Sequence, residues 1–250
     1  CIRDSYRTIQ HIYWPRIELL YQKSKCTPHY ILAKNNYGVT LIKNGLADTG
    51  IECLHQVIPV FSFYDSNKLV VFYNLAIGQW VTGLTDSART TISEWQKLVD
   101  MFNSDLDRAI ILSVKGRLFA YEKKCSEAAT ALQDAINMFQ EQEETYYLIE
   151  AEAWLSLALY KMGEEQKASN LAHSVHQRLE QGENLGDLEF PYSITYCLVE
   201  VFRDREPDLA HRIAHIATEG INMFTVKLDD AEAEKGYTEY FFHKALLNFH

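Results

Sequence analysis

A chain of 250 residues that is 47% apolar and 12% aromatic can bury a substantial core and is not of the disordered class. Only 5 prolines and 11 glycines argue against turn-rich sandwiches and barrels, which leaves a helical chain. A net charge of −10 disfavours nucleic acid and anionic membrane surfaces as partners, because both are bound chiefly through cations.

The first residue is Cys1 rather than Met, as expected of a piece of a longer protein. The segment "SYRTIQHIYWPRIELLYQK" predicts a helix bent or broken at Pro15. Residues 1–27 are therefore expected to be the remnant of an upstream unit. "TPHY" then opens a new helix, with Thr27 as N-cap and Pro28 at the first helical position.

From there the chain repeats. A small or apolar landmark recurs at Gly38, Ala76, Gly116, Ser156 and Leu198, with successive gaps of 38, 40, 40 and 42 residues. A second set, Gly50, Ala88, Ala128, Ala168 and Ala210, keeps the same four gaps. Between them stand Gly45, Gly83, Lys123 and Gly163. The spacing predicts two helices per unit that cross at the small residues. Glycine stops the first helix in the left-handed conformation it adopts without strain. Lys123 is expected to need another kind of cap. Neither helix can hide its apolar face alone, so units must stack. The expected units are 28–64, 65–103, 104–144, 145–183 and 184–224, with loops at 64–68, 103–106 and 181–188. Residues 225–250, rich in aromatics after "DDAEAEKGY", predict a terminal helix covering the last repeat. One domain spans 1–250.

The quoted cadence resembles the tetratricopeptide repeat (TPR) superfamily at "NNYGVTLIKNGLADTG", "YNLAIGQWVTGLTDSA", "VKGRLFAYEKKCSEAA" and "WLSLALYKMGEEQKAS". The fifth unit, "YCLVEVFRDREPDLAH", departs from the pattern at Leu198 and Arg205, and the period exceeds the superfamily's usual length. The resemblance implies an all-α, right-handed superhelix of about six helical hairpins. The long period is similar to that of TPR arrays in STAND-type signalling ATPases and transcriptional regulators.

That resemblance also implies a site. In TPR proteins the first helices build a concave wall. Carried onto this chain, the wall comprises Asn35, Val39, Lys43, Tyr73, Ile77, Trp80, Arg117, Tyr121, Tyr160, Lys161, Phe202 and Arg203. Asn36 and Asn74 stand where TPR asparagines bond a ligand backbone. The set mixes aromatics and cations and contains no carboxylate, so a protein or peptide ligand of acidic character is expected. Aromatics that pack between neighbouring first helices, with the cations covering them, are the competing reading of the same residues.

Other chemistry is poorly supported. His173 with His176, and His211 with His215, have helical spacing but no third metal ligand. No phosphate-binding loop, GxSxG or HExxH is present, so no catalytic residue and no cofactor are expected. The five cysteines are scattered without a CxxC pair and read as reduced thiols of a cytoplasmic protein. The longest apolar run, "LVVFYNLAIGQWV", is too short to cross a membrane. The function expected is a non-catalytic binding segment, a sensor or scaffold, beside other domains of a larger signalling or transcription-regulating chain. The alternatives are a Rap-type peptide-pheromone receptor and a structural scaffold subunit.

Overall fold

The computed structural model describes residues 13–24, 27–60, 66–182 and 190–249. Among them are thirteen α-helices, one 3₁₀ turn at Ile58–Val60, and no strand. The helices are α1 (Trp14–Ser24), α2 (Thr27–Lys43), α3 (Ala47–Val57), α4 (Asn67–Val81), α5 (Thr85–Phe102), α6 (Asp105–Tyr121) and α7 (Cys125–Glu141). They continue as α8 (Leu148–Lys161), α9 (Glu165–Glu180), α10 (Pro191–Phe202), α11 (Pro207–Leu228), α12 (Ala231–Glu239) and α13 (Phe241–Leu247). Pro15 sits in the first turn of α1, where its missing N–H is harmless. The part of the expected bend before Tyr13 lies outside the described residues, as do parts of the loops at 64–68 and 181–188. The loop expected at 103–106 is shorter. Asn103 turns the chain at φ 55° and Ser104 caps α6 by accepting from the Asp107 amide at 3.2 Å.

The turns between first and second helices share one hydrogen-bond pattern. Gly45 N–H donates to the Ile42 carbonyl at 3.1 Å and Leu46 N–H to that of Leu41 at 2.9 Å. The equivalent pair recurs at Gly83 and Leu84, at Lys123 and Lys124, and at Gly163 and Glu164. This is the Schellman cap, which closes two otherwise orphaned carbonyls. It requires a left-handed residue, and φ is 91°, 78°, 63° and 84° at positions 45, 83, 123 and 163. Lys123 thus corrects one expectation. It caps like a glycine, because satisfying the carbonyls outweighs the roughly 1–2 kcal/mol of strain an L residue meets there. The fifth turn does depart, since Glu206 N–H donates to Phe202 at 2.8 Å and no left-handed residue occurs.

The small residues mark close crossings. A Cβ added to Gly50 would stand 2.5 Å from the Gly38 carbonyl oxygen, and one on Gly116 would stand 2.4 Å from Leu132. Ala76, Ala88, Ala128, Ala168 and Ala210 are fully buried, as is Ser156. Backbones therefore approach where side chains are missing, and α2 packs on α3, α6 on α7 and α8 on α9.

The chain divides into two compact units. One holds residues 1–91 with 220–241, and the other 92–219 with 242–250. Within the first, α12 lies on the turn between α2 and α3. A Cβ on Gly236 would fall 1.9 Å from the Gly45 oxygen, and the Tyr240 hydroxyl donates to the Ile42 carbonyl. Burial pushes the Tyr240 phenol up. Within the second unit, α13 meets the last repeat, with the Phe242 and Phe190 rings 5.8 Å apart and His243 and Tyr192 5.3 Å apart. The expected boundary at 224 falls inside α11. The residues expected to cover only the last repeat contain α12, which packs on the first.

Candidate binding face

The first helices carry the polar side chains that the sequence singles out. On α4, Asn74 is 7% exposed, and its amide donates to Oδ1 of Asn35 at 3.0 Å. Asn35, 5% exposed on α2, donates in turn to Oδ1 of Asn36 at 3.1 Å. Burying two carboxamides in an apolar face is costly unless each finds partners. The relay supplies them and fixes the outermost amide. Asn36 is exposed, its carbonyl oxygen is the relay's end, and its NH₂ has no partner among the described residues.

Asn36 stands at the edge of a cavity of ≈ 310 Å³ lined by Tyr13, Trp14, Ile17, Ala33, Asn36, Tyr37 and Thr40. Its walls come from α1 and one face of α2, because residues 33, 36, 37 and 40 follow helical spacing. Trp14 stacks on Tyr37 with centroids 4.4 Å apart and planes 6° apart. Behind the stack, Lys34 donates to the Tyr30 hydroxyl at 3.1 Å and lies 5.8 Å from the Trp14 ring centre. Burial, then the neighbouring Cys53 and Glu18, pushes the Tyr37 phenol up. Thr40 donates to the Asn36 carbonyl at 2.8 Å, so it offers the cavity its methyl group more than its hydroxyl.

The other expected site residues divide by position along the helix. Trp80 and Phe202, four residues after their landmarks, share the landmark's inward face and are each 1% exposed. Trp80 meets Phe241 edge-on at 5.3 Å, and Phe202 lies 4.8 Å from the His173 ring. Tyr73 and Ile77 are buried too. These four are core, which corrects their reading as ligand anchors. Lys43, Tyr121, Lys161 and Arg203, five residues after the landmark, turn away from the crossing and are half-buried or exposed. Val39 and Tyr160 are half-buried.

The charge pattern corrects the expectation of a wall without acids. Arg117 pairs with Glu150 at 2.7 Å, with side chains 3% and 5% exposed, and Ser193 donates to the same carboxylate at 3.1 Å. Arg117 is therefore a buried strut and does not face a ligand. Glu200 takes Lys161 on one oxygen at 2.9 Å and Arg203 on the other at 2.5 Å. Arg203 also lies over the Phe249 ring, 5.1 Å from its centre. Tyr160 donates to Asp204, which together with partial burial pushes its phenol up to about 12. Glu150, Glu200 and Asp204 escaped the sequence reading. Opposite charges one repeat apart, such as Lys161 with Glu200, are the signal that finds them.

Lys43 differs from these cations, since no ion pair or hydrogen bond engages it among the described residues. No cluster of three metal-ligating side chains occurs among those residues. His173 instead meets Glu206 at 2.8 Å, and His176 and His215 each approach a glutamate four residues on. Cys53, Cys125 and Cys197 are free, and burial pushes the Cys197 thiol well up. No described helix is long and apolar enough to cross a membrane.

No known family profile matches the sequence, and no curated protein matches it significantly. Solved structures do match in fold. The nearly identical TPR-like repeats of a provisionally assigned kinesin light chain from Podosopora anserina superpose with a TM-score of 0.53 at 13% identity. That match covers 80% of this chain and 97% of the other. The fold is all-α and TPR-like. A variant of the same protein gives a TM-score of 0.54 at 14% identity, over 79% and 95% of the two chains. At such identities the likeness concerns architecture.

Proposed function

We propose that this chain is a non-catalytic protein-interaction segment, a sensor or scaffold within a larger cytoplasmic signalling or transcription-regulating protein. The observation that carries the reading is the amide relay from Asn74 through Asn35 to Asn36. Two carboxamides are buried to hold a third at the surface with its donors unused. A packing role alone would be served by apolar side chains at lower desolvation cost. A fixed donor pair on an exposed helix face suits the carbonyls of an extended partner chain. The TPR-like architecture supports the same conclusion, because stacked helix pairs create long surfaces for partners.

Selection of a random peptide library against the immobilised protein tests this. The expected outcome is an enriched sequence class whose binding weakens about tenfold or more in Asn36→Ala, with an unchanged melting temperature. Libraries that yield no enriched class on the native protein, or a class indifferent to Asn36→Ala, would overturn it.

A further inference from the structure

We infer that the cavity between α1 and α2 is a docking pocket for an extended partner segment, which inserts one large apolar side chain beside Trp14 and follows it with a carboxylate that reaches Lys43. The inference rests on the protein-binding reading above and names the chemistry of its ligand.

Size and lining set the first half of that ligand. A volume of ≈ 310 Å³ is at the lower end of ligand pockets, room for one bulky side chain and not for an extended cofactor. Trp14, Tyr37, Ile17 and Ala33 give carbon-rich walls, and no charged side chain lines the space among the described residues. A small ion or a free polar metabolite would find nothing to compensate its lost hydration there. An apolar side chain gains by leaving water, and the half-buried Trp14 covers it.

Polar groups at the rim set the second half. Asn36 lines the cavity and keeps its amide donors unused among the described residues, available to the backbone carbonyl beside the inserted residue. Lys43 lies three residues past Thr40 and seven past Asn36, on the same helical face. The charged side chains of α1 and α2 include Arg16, Lys34, Lys43 and Glu18, and α3, packed on α2, adds Asp48 and Glu52. The cations of α8 and α10 are held by Glu200, whereas Lys43 has no carboxylate of its own among the described residues. An acidic ligand group supplies one.

The molecule carries its own reporter. Trp80, Trp95 and Trp154 are each 1% exposed, so ligand at the surface alters Trp14 emission almost alone. The test uses synthetic hexapeptides, blocked at both ends, that carry Leu, Phe or Ala at one position and Glu, Gln or Lys two positions on. Leu–Glu and Phe–Glu peptides are expected to shift Trp14 emission to the blue, with affinity about tenfold or more above their Ala and Lys counterparts. Ala33→Phe fills the cavity and is expected to remove that gain. Lys43→Glu is expected to reverse the preference from Glu to Lys, and being half-buried off the cavity wall it keeps the test open should Ala33→Phe not fold. Peptides that bind equally well to both variants would refute the pocket and leave the protein-binding reading standing. So would silent hexapeptides alongside a successful random library. Silence in both experiments would remove both.

Discussion

The first-helix face of α2 and α4 and that of α6, α8 and α10 occupy equivalent places in the repeat, yet they treat polar side chains in opposite ways. On α2 and α4 a neutral amide relay ends at an exposed donor, and Lys43 is unmatched. On α6 and α8, Arg117 and Lys161 each meet a carboxylate of the next first helix, Glu150 and Glu200. The repeat period therefore preserves packing, which depends on side-chain volume at the crossings, and leaves polar chemistry free to differ. The first helices of the second unit hold themselves together electrostatically, and those of the first present hydrogen-bond donors outward.

The largest effect expected from this contrast is on stability. Glu150→Ala leaves the Arg117 guanidinium 3% exposed with its carboxylate gone, and Ser193 loses its acceptor. Breaking a buried pair on one side costs about 3–5 kcal/mol, a large part of a domain's total stability. Urea denaturation reads it directly. Replacing both partners, Arg117→Met with Glu150→Leu, is expected to recover most of the loss, because well-packed apolar groups need no desolvation. A double variant as unstable as the single one would mean that the pair does more than satisfy itself.

Asn35→Ala is expected to do less to the fold and more to binding. It strands the buried Asn74 amide, at about 1–3 kcal/mol, and frees the Asn36 carboxamide to rotate. Peptide affinity should fall although Asn35, buried, touches no ligand. Unchanged affinity would mean that the relay is a packing feature like the ion pairs of α6 and α8, and the contrast would dissolve.

Most of the architecture was legible because it rests on volume. Gly38 and Gly50 had to be small for the backbones to meet, and Gly116 to admit the Leu132 side chain, and their interval is visible without coordinates. Site residues were less legible, because the same small residue fixes the helix face. Four positions on, Ile42, Trp80 and Phe202 share the crossing side and are buried in consequence, whereas Tyr160 is half-buried. Five positions on, Tyr121, Lys161 and Arg203 turn outward and Lys43 is half-buried, whereas Val81 stays in the core. The cavity was missed because its Trp14 wall belongs to a segment read as a remnant. The return of α12 to the turn at Gly45 was out of reach, since contacts between residues 45 and 236 leave no local periodicity. Lys123 was misjudged for a different reason. Propensity argues against a left-handed lysine, but the carbonyls that its turn satisfies outweigh it.

The smallest effect concerns pH and sharpens the contrast at its exposed edge. Tyr160 must keep its proton to donate to Asp204, and its phenol is pushed from the ordinary 10 up to about 12. Because the folded value lies above the unfolded one, this contribution is fully present below pH 10 and fades as pH rises toward 12. The group is half-exposed, so solvent screening limits the contribution to about 0.5 kcal/mol. Stability of the native protein and of Tyr160→Phe, measured by denaturation between pH 8 and pH 12, should differ by a constant amount at first and converge at the top. Tyr37, Tyr192, Tyr196 and Tyr240 are also shifted upward, but they titrate alike in both proteins and cancel in the difference. A gap that persists to pH 12 would assign Tyr160 a packing role and remove Asp204 from the ladder of carboxylates that closes this part of the face.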